Sequence, residues 1–120
     1  MSKSHEWGLW AEEKAYHYLT RHGLHLLQRN YRCRAGEIDL VMRHGKTLVF
    51  VEVRFRSHAH FGTCAESIDT RKQQRIYKTA SHYIQNCHDC EQLACRFDAL
   101  LIMGKPPNAE IEWIQNAFQS

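Results

Sequence analysis

The sequence predicts an α/β sandwich: a central mixed β-sheet flanked by helices, in the order α-β-β-β-α-β-β. Three observations carry that prediction. Segments 7–22 and 70–86 repeat apolar residues at helical spacing. Between them lie three apolar runs joined by turn-forming residues, and two shorter runs follow the second helix. At 120 residues, 43% hydrophobic and 24% charged, the chain is one domain with one core over residues 1–120.

In the first helix, Trp7, Trp10, Ala11, Ala15, Tyr18 and Leu19 form the apolar stripe, and Gly23 follows as a helix-ending glycine. Glu12 lies about 100° round from Ala11, so it borders the core. Leu24 to Tyr31 reads as the first strand, Glu37 to Met42 as the second and Thr47 to Phe55 as the third. Arg43-His44-Gly45-Lys46 is the turn signal between the second and third. Residues 57–67, with Gly62 and small polar groups, read as a loop. Thr70 to Asn86 buries Ile76, Tyr77, Ala80, Tyr83 and Ile84, and turns Arg71, Arg75, Lys78 and His82 outward. Cys95 to Met103 is the fourth strand, stopped by Pro106-Pro107, and Ile111 to Ile114 a short fifth.

Composition excludes several function classes. No apolar run approaches the roughly 20 residues needed to span a bilayer, and Met1 to Glu6 lead into no signal-peptide segment. A cytoplasmic, non-membrane protein is expected. The count of five cysteines is odd, which points to reduced thiols rather than a disulfide framework. Cys87-His88-Asp89-Cys90 has the spacing of half a zinc site, but no second ligand pair accompanies it, so loop thiols are expected and zinc is not. The nine histidines form no convincing ligand pair or triad. Net charge is only +3. Its distribution says more: Arg29, Arg32 and Arg34, then Arg54 and Arg56, then Arg71, Lys72, Arg75 and Lys78 crowd the middle of the chain.

The same middle section holds carboxylates inside apolar strands. Gly36-Glu37-Ile38-Asp39-Leu40 and Phe50-Val51-Glu52-Val53-Arg54-Phe55-Arg56 would bury acids, which is costly unless they are paired or bind metal. Strand alternation puts Glu37 with Asp39 on one face, opposite Ile38 and Leu40, and puts Glu52 with Arg54 and Arg56. A two-residue turn at His44-Gly45 would pair position 37 with 52, and a four-residue loop 39 with 52; a three-residue loop would separate the polar faces. Alternating charges also suit a solvated surface hairpin. Phe50 on the face of Glu52, and a first helix that could bring Glu12 to this place, favour a site for a hard cation such as Mg²⁺ or Mn²⁺.

With these residues the chain resembles the YraN family of bacterial proteins over nearly its full length. The likeness rests on Gly8, Glu12 and Ala15, on Asn30-Tyr31-Arg32, Gly36-Glu37-Ile38-Asp39, and Phe50-Val51-Glu52-Val53 with Arg56. Lys72, Ala80 and Arg96-Phe97-Asp98 complete it. That family is similar to the PD-(D/E)xK, restriction-endonuclease-like superfamily, in the layout of Holliday-junction resolvases and tRNA-endonuclease-like domains. The resemblance implies Asp39 and Glu52 as catalytic metal ligands, Glu12 as a further ligand from the helix, and Glu37 as support. Position 54 would hold the superfamily lysine, and here it is Arg54. Arginine stays protonated and is a poor general base, though it can stabilise a scissile phosphate. Three outcomes stay open: metal alone activates water, Lys72 takes the lysine's place, or only binding remains.

The functional expectation is a Mg²⁺- or Mn²⁺-dependent endonuclease on nucleic acid, DNA rather than RNA, branched or structured in particular. Arg56, Arg71, Lys72, Arg75 and Lys78 would meet the phosphate backbone. The alternative is a catalytically silent nucleic-acid-binding module, or a partner in a repair or replication complex. A homodimer would suit a two-stranded substrate.

Overall fold

A computed structural model describes residues 3–56, 68–104 and 107–119. The loop expected over 57–67 lies outside the described residues. The elements follow the expected order: α1 (Lys3–Arg21), β1 (His25–Cys33), β2 (Gly36–His44), β3 (Thr47–Arg56), α2 (Thr70–Gln85), β4 (Ala94–Met103) and β5 (Glu110–Ile114). The strands form one sheet in the order β1-β2-β3-β4-β5. Only the β3–β4 pair is parallel. The reason is the crossover: α2 lies between these strands in the chain and carries it back to the start of the sheet.

Each face of the sheet is covered by one helix. Ala11, Ala15 and Leu19 of α1 pack on Leu40, Met42, Val49, Val51, Leu100 and Ile102. Ile76 and Ala80 of α2 pack on Ile38, Val41, Leu48, Phe50, Ala99 and Leu101. Alternate residues of β3 enter the two clusters, as period two demands. Each fully buried aliphatic side chain contributes about 1.5–3 kcal/mol.

Helix ends are set locally. α1 stops where Gly23 takes φ +93°, with the Leu24 N–H donating to the Leu19 carbonyl at 3.1 Å. α2 starts at Asp69, whose side chain accepts the Lys72 N–H at 2.8 Å. Gly36 lies against α2, where an added Cβ would stand 3.2 Å from Thr79 Oγ1.

Two features of β2 differ from the sequence expectation. The turn to β3 is Gly45-Lys46, because His44 already pairs with Thr47. A two-residue turn placed one residue later than expected therefore puts Asp39 across from Glu52, without a longer loop. Second, Ile38 and Leu40 do not share a face: Ile38 joins the α2 side and Leu40 the α1 side. The break coincides with Asn30. Arg29 pairs with Leu40 and Tyr31 with Ile38, and Asn30 between them is left-handed at φ +51°. Both strands reverse their faces there: Arg29 covers Tyr16 of α1, whereas Tyr31 meets Tyr83 of α2. Alternation from Glu37 to Asp39 is broken at this step.

The thiol expectation is also corrected. Cys87 and Cys90 are joined by a disulfide, with Cα atoms 5.5 Å apart. The turn closes because Asp89 adopts φ +73°. Cys33 and Cys95 are free.

Candidate functional site

The sheet forks where the site lies. The β2–β3 ladder runs from His44–Thr47 to Leu40–Val51 and ends there, although β2 extends back to Gly36 and β3 on to Arg56. Asp39 and Glu52 are the first residues past the last rung. Asp39 bridges the gap by accepting the Val53 N–H at 2.8 Å. The face reversal at Asn30 and the fork thus converge on one aspartate.

Electrostatics single out the same residue. Burial pushes the Asp39 carboxyl up to about 8, and the Glu52 charge pushes the same way. The Val53 N–H opposes these, and Glu12 and Glu37 add to them. Glu12, brought to the fork by α1, is itself raised, first by burial and then by Glu37; a hydrogen bond with the Asn30 side chain, and Arg29 and Arg32, counter this. Four carboxylates from α1, β2 and β3 therefore share one field.

The cations come from the α2 side. Glu52 is 7% exposed, and Lys72 Nζ meets its Oε1 at 2.9 Å. A buried carboxylate needs such a partner, and the Asp69 cap fixes the turn of α2 that supplies it. Arg54 Nε stands 3.8 Å from the same oxygen, is buried, and has no hydrogen-bond acceptor. Such a donor is costly to leave unpaired and is ready for an incoming anion.

The donor set suits a hard cation, because Asp39 and Glu52 offer adjoining carboxylate oxygens and each raises the cost of the other's charge. Glu12 and Glu37 act on Asp39 through their charge. As the side chains stand, no group of three His, Cys, Asp or Glu residues among the described residues is arranged to hold a metal ion.

The basic residues fall into separate places. Lys72 and Arg75 line a cleft of about 230 Å³ beside Gly36 and Glu37. Lys78 lines a second with Arg34. Arg71 is exposed on the first turn of α2, and Arg56 is exposed at the end of β3. The patch of Arg29, Arg32 and Arg34 is divided: Arg29 binds Glu13 at 2.6 Å, Arg32 approaches Glu37 at 3.4 Å, and Arg34 alone faces α2.

Sequence reasoning gave Asp98 no role beyond the resemblance. It is wholly buried and accepts from Arg96 Nε at 2.9 Å, Trp113 Nε1 at 2.9 Å and the Asn116 N–H at 3.0 Å. An aspartate amid Ala99-Leu100-Leu101-Ile102 was the available signal.

The family model for Uncharacterised protein family UPF0102 matches residues 11–102. The chain belongs to this family. UPF0102 is the YraN family of the resemblance, and the matched span holds Glu12, Asp39, Glu52, Lys72 and Asp98. A UPF0102 protein of Nitrosomonas eutropha is 51% identical over 118 residues, 98% of this chain and 97% of the relative. One from Methylobacillus flagellatus is 51% identical over 110 residues, 92% of this chain and 94% of the relative. One from Stutzerimonas stutzeri is 45% identical over 120 residues, the full length of both. No helix among the described residues of this UPF0102 chain is long and apolar enough to cross a membrane.

Proposed function

We propose that this UPF0102 protein is a metal-dependent nuclease of the restriction-endonuclease-like PD-(D/E)xK type, acting on DNA, branched or structured DNA in particular. One observation carries the reading: at the fork, Asp39 and Glu52 adjoin with Lys72 Nζ 2.9 Å from Glu52. That arrangement supplies two acidic ligands and an ammonium, although the lysine comes from α2 and not from position 54.

Asp39 and Glu52 would hold Mg²⁺ or Mn²⁺, with Glu12 and Glu37 adding negative potential. The bound ion would supply Lewis-acid stabilisation of the phosphate and help to orient an attacking water. Lys72 presents a point-charge donor that can orient water or stabilise developing charge. The Arg54 guanidinium, whose Nε lacks an acceptor, would bind the scissile phosphate. Arg56, Arg71, Arg75 and Lys78 would meet neighbouring phosphates.

The test is cleavage of labelled duplex, forked and four-way DNA with Mg²⁺ or Mn²⁺. Asp39→Ala is expected to lower the rate by about a hundredfold or more, and Lys72→Ala by a comparable factor. Cleavage by Asp39→Ala at the wild-type rate would remove the assignment.

A second reading is favoured by one fact: the Lys72 ammonium pairs with the Glu52 carboxylate at 2.9 Å, which balances its charge. On that reading the fold is a silent binding module. Salt-sensitive DNA binding with no cleavage in either metal would select it.

A further inference from the structure

Beyond the carboxylates, two open recesses lie between α2 and the β1–β2 connection. The first lies beside the site, between Glu37 and the pair Lys72 and Arg75. The second, about 370 Å³, lies further along α2 and is lined by Cys33, Arg34, Lys78, Ser81 and His82. A recess of that volume suits a group the size of one nucleotide. Lys72, Arg75 and Lys78 recur every third residue, so they track one side of the helix. From Lys72 to His82 the helix rises roughly 15 Å, the length of a few nucleotides.

The second recess also has a flat wall. The His82 ring is hydrogen-bonded by the Tyr31 hydroxyl and tilted against the Tyr31 ring at 5.8 Å. Basic groups along a groove, with rings beside it, are what single-stranded nucleic acid needs: phosphate contacts and a stacking surface. Arg34 has a guanidinium for either role.

We infer that this groove binds a single-stranded arm of the substrate, with one nucleotide seated in the recess of Arg34, Lys78 and His82. The inference rests on the nuclease reading for its position beside the scissile bond. It narrows the substrate class to nucleic acid with an unpaired flank, such as a flap or splayed end, over uninterrupted duplex.

Cys33 makes the recess measurable without metal or turnover. Iodoacetamide labelling of the full-length protein, read by peptide mass spectrometry, is compared with and without a single-stranded oligonucleotide of roughly ten nucleotides. The expected result is several-fold slower labelling of Cys33, unchanged labelling of the exposed Cys95, no protection by a blunt duplex, and loss of protection in R34A/K78A. Equal labelling of Cys33 with and without the strand, or equal protection by blunt duplex, overturns the inference. The two proposals fail separately. Protection without Asp39-dependent cleavage sinks the nuclease and keeps the strand site, whereas Asp39-dependent cleavage without protection does the reverse.

Discussion

Asp98 and Asp39 lie in one sheet, both set among apolar residues, yet their surroundings are opposite. Asp98 is answered on every side: Arg96 holds both its oxygens, and Trp113 and Asn116 complete the set. Arg96 is steadied in turn by His44 at 3.3 Å and by the Trp113 ring. Asp39 receives one backbone N–H and feels three other carboxylates. A buried acid with its full complement of donors is a joint between β4 and β5. A half-buried acid among like charges is held in place by the rest of the fold and is relieved when a proton or a cation arrives.

The largest effect should follow from breaking the satisfied member. Asp98→Ala takes the carboxylate from Arg96, whose side chain is 13% exposed, and leaves the Trp113 and Asn116 donors without their acceptor. A loss of about 3–5 kcal/mol is expected, read as a lower urea midpoint. A loss under about 1 kcal/mol would mean that the network is not what joins the strands.

The unsatisfied member should behave in the opposite sense. Asp39→Asn replaces the raised carboxyl by a group that does not titrate and keeps an acceptor for Val53. Because the folded Asp39 must hold a proton at neutral pH that the unfolded chain releases, the amide should raise stability there by roughly 2 kcal/mol while abolishing cleavage. The pH dependence follows from the same residue. Asp39 titrates near 3.8 when unfolded and at about 8 when folded, so in that window the folded chain holds a proton that the unfolded chain has released. The stability from the protonated carboxyl is complete below about pH 4 and is lost as pH rises through about 8. Denaturation at several pH values should show wild type falling across this window and Asp39→Asn falling less; parallel curves would contradict the burial of Asp39.

The smallest effect concerns the wall shared by site and helix. Gly36→Ala places a methyl 3.2 Å from Thr79 Oγ1, and a cost of about 1–2 kcal/mol is expected. Thermal unfolding gives the number. No change would show that α2 can retreat from β2 there.

Much of this was legible in the sequence because period and punctuation fix elements. Gly23, the helix from Thr70 and the alternation of Val49, Phe50 and Val51 each have a local cause, and the elements formed accordingly. Asp39 and Glu52 were legible as acids where apolar residues belong. The face reversal was not, because asparagine tolerates the left-handed region without requiring it, so Asn30 inside a strand pattern did not mark the step. Nor was the pairing of Lys72 with Glu52: the contact is made only when the crossover helix docks, and its distance along the chain has no periodic signature. Asp98 was hidden for the same reason, since Trp113 and Asn116 reach it from another strand.

The parallel pairing of β3 with β4 sets an order of events in folding. The β2–β3 hairpin closes over a two-residue turn, a step of about 1–10 μs. Thr47 must wait for Ala94 before the parallel rung forms, and α2 settles only within that larger closure. On that order Asp39 and Glu52 would meet before the ammonium of Lys72 arrives. An intermediate with two facing acids and no counter-charge is least strained when one acid carries a proton. Stopped-flow refolding should therefore be faster in mild acid than in mild base, which makes the electrostatics of the site a control on how quickly the chain reaches it.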